Sequence, residues 1–164
     1  MNVVLVGMPG SGKSAVAKEL GGILNRSVID TDEIIVTNHG EINDIFKNFG
    51  EEVFRSIESK VVEAVCKMDN VVISTGGGCL LRERNRELLK GSGKIIFLQA
   101  SPDTLYNRTV NDDTRPLLAG EKKQKIEKLL NERTPIYLGA ADFTIDTDNL
   151  NPREIAQKIT EFMK

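Results

Sequence analysis

The sequence contains two cysteines, Cys66 and Cys79, and their spacing matches no metal-binding or redox pattern. A disulfide-stapled scaffold and a cysteine-based metal module are excluded, and reduced thiols in a cytoplasmic protein are expected. A net charge of −2 leaves no general basic surface, so no nucleic-acid partner is expected. No apolar run approaches the length of a membrane span, which removes the membrane as a partner. A strand expected from residue 2 leaves no room for a signal peptide ahead of it. Internal repeats, low-complexity tracts and Pro/Ser-rich linkers are also missing. With 164 residues, 40% of them apolar, the chain is expected to form one domain, 1–164, with a real core. It is expected to act as a monomer.

The first fourteen residues carry the strongest signal. Val3-Val4-Leu5-Val6 reads as a buried strand and runs into Gly7-Met8-Pro9-Gly10-Ser11-Gly12-Lys13-Ser14, which fits G-x-x-x-x-G-K-[ST]. Ala15 to Leu20 continue as a helix. This strand–loop–helix context is what a phosphate cradle requires, because loop amides and the positive helix end then face the same anion. Gly10, Ser11, Gly12, Lys13, Ser14 and the Ala15 backbone are the candidate phosphate-binding residues. Lys13 can reach the β/γ-phosphates and the Ser14 hydroxyl can bind Mg²⁺. ATP as co-substrate and Mg²⁺ as cofactor are the expected ligands.

Further apolar runs at Ser27–Ile29, Val71–Ser74, Ile95–Gln99 and Phe143–Ile145 predict four more strands. Helical patterns separate them, the clearest being Gly50 to Met68 with Val53, Phe54, Ile57, Val61, Val65 and Met68 on one face. Ser101-Pro102 and Asn151-Pro152 read as a cap residue followed by proline at the first helical position. The expected fold is α/β: a P-loop NTPase-type parallel five-stranded sheet with helices on both faces. Residues 110–120 show neither periodicity and are expected to form a mobile lid.

No D-x-x-G and no N-K-x-D occurs, so a GTPase switch is excluded. A small-molecule kinase needs a metal-organising carboxylate, an acceptor pocket and positive charge over the γ-phosphate. Asp30 and Asp32 close the second strand, and alternation along an extended segment would turn both carboxylates to the site. One could hold a water of the Mg²⁺ shell and the other accept a hydroxyl proton, or one could simply cap the next helix near Glu33. Arg55, with Glu51, Glu52 and Glu58 at helical neighbour positions, fits two readings equally. It is part of a solvated charge cluster, or a guanidinium held by Glu58 to grip an anion. Gly76-Gly77-Gly78 offers bare amides at a strand end, where many P-loop proteins carry an aspartate. Arg115, in the 110–120 segment, and Arg133, after a helical run Gln124–Leu130, add local positive charge.

Taken in order along the chain, these motifs resemble the shikimate kinase family. The resemblance rests on Gly7–Ser14, Asp30-Thr31-Asp32, Phe54-Arg55-Ser56-Ile57-Glu58, Gly76–Gly78, Thr114-Arg115-Pro116-Leu117-Leu118 and Arg133-Thr134-Pro135-Ile136-Tyr137. It implies transfer of the ATP γ-phosphate to the 3-hydroxyl of shikimate, a step toward chorismate and the aromatic amino acids. It further implies that Asp30 organises Mg²⁺ through water, and that Asp32 holds shikimate hydroxyls as candidate base. Arg55 and Arg133 would bind the shikimate carboxylate, with Gly77 and Gly78 lining that pocket. Arg115 would meet the phosphates from the lid, and Arg108 would lie against adenine. The chain departs from the pattern at Ala15, where many relatives carry threonine, and at Leu150, where many carry an arginine near adenine.

Three other readings use the same residues. The Arg55/Arg133 pair suits any small carboxylate, so a gluconate-type kinase is a rival, as is a nucleoside monophosphate kinase. A non-catalytic nucleotide-binding regulator is a third, disfavoured because Lys13, Ser14, Asp32 and Arg115 are all intact.

Overall fold

The computed structural model describes residues 1–109 and 121–164. The expected lid, with Arg115, lies outside the described residues. Five strands form one sheet in the order β2-β3-β1-β4-β5: β1 (Asn2–Val6), β2 (Val28–Asp30), β3 (Val72–Ser74), β4 (Gly93–Gln99) and β5 (Phe143–Asp146). Every pairing is parallel. The helices are α1 (Lys13–Leu24), α2 (Thr31–His39), α3 (Ile42–Phe49), α4 (Glu51–Val65), α5 (Glu83–Ser92), α6 (Pro102–Thr109), α7 (Lys122–Ala140) and α8 (Pro152–Phe162). A 3-10 turn covers Cys79–Leu81.

All of β1 is buried, as a central parallel strand covered on both faces must be. Val3 and Leu5 turn toward Val16 and Leu20 of α1 and Ile155 and Ile159 of α8. Val4 and Val6 turn the other way, toward Ile35, Phe54, Val62, Leu89 and Tyr137. Each such side chain contributes roughly 1.5–3 kcal/mol by leaving water. The phosphate loop therefore springs from a fully buried central strand, at the carboxyl edge where open α/β sheets place their ligands.

Both proline-marked helix starts are present. Asn151 accepts from Glu154 N and the Glu154 carboxylate accepts from Asn151 N, a complete capping box. Ser101 Oγ accepts from Thr104 N at 3.2 Å. Two expectations need correction. Asp32 does not lie on the strand, because α2 begins at Thr31: Asp30 Oδ1 accepts from Asp32 N (2.9 Å) and Glu33 N (3.3 Å) and starts the helix ahead of Glu33. Arg133 does not follow a helix but sits inside α7, which continues through Pro135. Ile126, Arg133, Tyr137 and Ala140 form one buried stripe along it, and this packing outweighs the amide bond that Pro135 removes. Among the described residues no helix is long and apolar enough to cross a membrane.

Candidate active site

The phosphate loop leaves β1 and ends in Gly12, which caps α1 in the left-handed region (φ 92°). That conformation favours glycine and points the first amides of α1 into the cleft. Lys13 is the first helical residue and is buried, with Nζ donating to the carbonyl oxygens of Gly7 (2.8 Å) and Met8 (2.9 Å). Ser11 is turned inward, its Oγ 3.5 Å from the same ammonium. The Ser14 hydroxyl donates to Asp30 Oδ2 at 2.9 Å. Asp30 thus takes up the capping duty that D-x-D left open with one oxygen, and faces the loop hydroxyl with the other. A cleft of about 590 Å³ opens here, lined by Gly10, Gly12, Lys13, Ser14, Ala15, Asp30, Asp32 and Thr75 among others.

Arg108, in the last turn of α6, donates to Gly10 O (3.3 Å) and Thr147 O (3.5 Å). It spans from the phosphate loop to the segment after β5. Leu150, in that segment, packs instead against the core between α1, α8 and the sheet.

A second, much smaller pocket of about 50 Å³ adjoins the cleft, and Asp32 lines both. Its polar wall is Asp32, Arg55, Glu58, Gly76–Gly78 and Arg133; its apolar wall is Pro9, Ile42, Phe46 and Phe54. Arg55 is 6% exposed, Glu58 1% and Arg133 4%, which rejects the solvated-cluster reading. Arg55 Nη1 donates to Glu58 Oε1 at 2.9 Å, and Nη2 lies 3.4 Å from the exposed Glu51. Glu52 pairs with Arg82 rather than with Arg55. Burial pushes the Glu58 carboxyl above the usual carboxylate range, against the pull of the Arg55 charge and hydrogen bond. Arg55 Nε, Arg133 Nη1 and Glu58 Oε2 are buried without a hydrogen-bond partner. Each such orphan costs about 1–3 kcal/mol or more, so this pocket is built to have them satisfied by a ligand.

The three glycines have a reason that the sequence does not display. A Cβ on Gly76 would stand 2.7 Å from Asp32 Oδ1, one on Gly77 2.6 Å from Pro9 Cδ, and one on Gly78 2.5 Å from Arg55 Nη1. They make room for the charged side chains and the phosphate loop as much as they offer amides. The turn is also held from outside. Tyr137 OH donates to Gly77 O, and Gly76 N donates to Thr31 Oγ1 at 3.1 Å. Sequence reasoning assigned no role to Thr31, Pro9, Phe46 or Tyr137. Only Tyr137 carried a usable signal, standing one turn after Arg133 on the same helix face. Burial lifts the Tyr137 phenol from 10.0 to about 12.

A family model described as shikimate kinase matches residues 9–164. The chain is 46% identical over 160 residues to the shikimate kinase of Caldicellulosiruptor bescii, covering 96% of this chain and 92% of that protein. It is 37% identical over 164 residues to the shikimate kinase of Dehalococcoides mccartyi, at 99% and 93% coverage. Its fold matches the solved shikimate kinase of Acinetobacter baumannii in complex with shikimate, with a TM-score of 0.96 at 36% identity, over 99% of this chain and 92% of that one. The structure of the shikimate kinase of Aquifex aeolicus matches with a TM-score of 0.86 at 32% identity, at 99% and 96% coverage. Both sequence and fold agree over nearly the whole chain, and a phosphate loop stands beside an arginine-lined pocket. This chain belongs to the shikimate kinase family.

Proposed function

We propose the following division of labour for the reaction of this family, in which the γ-phosphate of ATP passes to the 3-hydroxyl of shikimate. The amides of Gly10–Ala15 and the Lys13 ammonium hold the β- and γ-phosphates, and Lys13 gives up its loop carbonyls to do so. Arg108 flanks the adenine side. Arg55 and Arg133 bind the shikimate carboxylate, and the ring lies between the Gly76–Gly78 turn and Phe46. Asp32, on the border of both pockets, takes the proton from the attacking hydroxyl. The new P–O bond forms as the bond to ADP breaks, so the protein supplies position and charge rather than covalent chemistry. Arg115 is assigned to the transferring phosphate from the 110–120 lid by resemblance alone.

Ser14 and Asp30 fit Mg²⁺. A hydroxyl and a carboxylate oxygen stand 2.9 Å apart at the phosphate end of the cleft, the hard oxygen donors that this ion prefers. Among the described residues no group of three His, Cys, Asp or Glu could hold a metal. When bound, Mg²⁺ neutralises charge on the β- and γ-phosphates.

The observation that carries this reading is the pair of orphaned guanidinium nitrogens, on Arg55 and Arg133, beside the phosphate cleft. We read 1–164 as one kinase domain that works as a monomer. Free thiols at Cys66 and Cys79 support a cytoplasmic setting. The test is a coupled assay for ADP with each component omitted in turn. ADP is expected only with ATP, Mg²⁺ and shikimate together; equal turnover with gluconate, or none with shikimate, overturns the reading.

A further inference from the structure

We infer that Thr31 is a positioning residue that sets the donor side and the acceptor side of the reaction in register. Thr31 stands between the two aspartates and is fully buried. The β2–β3 ladder ends at the pair Asp30 and Ser74. Beyond it backbone pairing cannot continue, because Thr31 opens α2. Thr31 Oγ1, accepting from Gly76 N at 3.1 Å, replaces the next ladder bond with a side-chain bond.

The two neighbours of Thr31 diverge from this point. Asp30 faces Ser14 at 2.9 Å on the donor side. Asp32 rests on the glycine turn so closely that a Cβ on Gly76 would stand 2.7 Å from its Oδ1. The Thr31–Gly76 bond therefore fixes the height of the Asp32 carboxylate above the turn that cradles the acceptor. A shift of about 1 Å in such a constellation can lower a rate by about 100-fold.

The inference rests on the roles assigned above to Asp30 and Asp32, and its test is separable from theirs. Thr31→Val keeps the shape and removes the hydroxyl; Thr31→Ser keeps the hydroxyl. Steady-state kinetics of Thr31→Val should show kcat down by about 10-fold or more with KM for ATP within about 2-fold. Thr31→Ser should stay within about 2-fold of the parent on both. In an Asp32→Asn background, Thr31→Val should add little further loss, since it acts through that carboxylate. Unchanged kcat in Thr31→Val, equal impairment of Thr31→Ser, or a full multiplicative loss on Asp32→Asn overturns the inference. If Thr31→Val does not fold, Thr31→Ala takes its place in the same cycle with the same criteria. Failure of the role assigned to Asp32 would appear instead as near-normal kcat in Asp32→Asn alone.

Discussion

Gly78 lies directly against the Arg55 guanidinium, and a Cβ there would stand 2.5 Å from Nη1 and 2.6 Å from Cζ. The glycine is not required by backbone conformation, since its φ of −97° is open to any residue. It is required by the space that a buried cation occupies. This wall of the smaller pocket is thus assembled from two chain segments that meet without room for one methyl group.

Gly78→Ala should therefore displace Arg55 and leave the donor side intact. The expected result is a KM for shikimate raised by about 10-fold or more, with KM for ATP within about 2-fold. Steady-state kinetics with each substrate varied would check this. A parallel rise in both constants would point to a general loosening instead.

Asp32→Asn and Arg133→Ala should separate chemistry from binding. Losing the candidate base is expected to lower kcat by about 10²–10⁴-fold with little change in melting temperature. Removing the Arg133 guanidinium should weaken shikimate binding by about 10- to 100-fold, the value of a charge-assisted hydrogen bond, and spare ATP. Calorimetric titration of each ligand reads the second outcome directly.

Asp30 both caps α2 and faces Ser14, and two substitutions divide those duties. Asparagine caps as well as aspartate, so Asp30→Asn should keep the melting temperature while raising the Mg²⁺ concentration needed for half-maximal turnover. Asp30→Ala should do the same to Mg²⁺ and also lose about 0.5–2 kcal/mol of stability. Urea unfolding and a Mg²⁺ titration measure the two effects.

Tyr137→Phe should leave the Gly77 carbonyl buried without its donor, at about 1–3 kcal/mol in urea unfolding. The phenol also predicts a pH dependence. Its pKa rises from 10.0 to about 12 on folding, so between those values the folded chain holds a proton that the unfolded chain has lost. The stabilisation is complete below pH 10 and falls away as pH rises toward 12. Across that window the parent should lose roughly 2–3 kcal/mol more than Tyr137→Phe does.

Much of the site was legible because its signals are local. The phosphate loop needs only a strand, a glycine pattern and a helix in succession, and the stretch from Asn2 to Leu24 carries all three. The Glu58 partnership of Arg55 follows from three-residue spacing on one helix. The position of Asp32 was misread because the Asp30 cap competes with the strand and wins at Thr31, a balance of hydrogen bonds that alternation does not reveal. The helical pattern Gln124–Leu130 ends before Arg133, yet α7 continues through Pro135, which local rules would make a breaker. Burial of Tyr137 and Ala140 overrides it.

The order of strands and helices, the phosphate loop and the inventory of charged residues are written in the sequence, since each depends on neighbours along the chain. The tertiary structure alone decided which of those charges are buried and which glycines are there for space. Arg55 on α4, Arg133 on α7 and Gly76–Gly78 after β3 are far apart in sequence. They meet because parallel β2, β3 and β1 end at one edge of the sheet and the helices fold back over one face. Close packing between distant segments, not any local pattern, turned a nucleotide-binding loop into half of a two-substrate site.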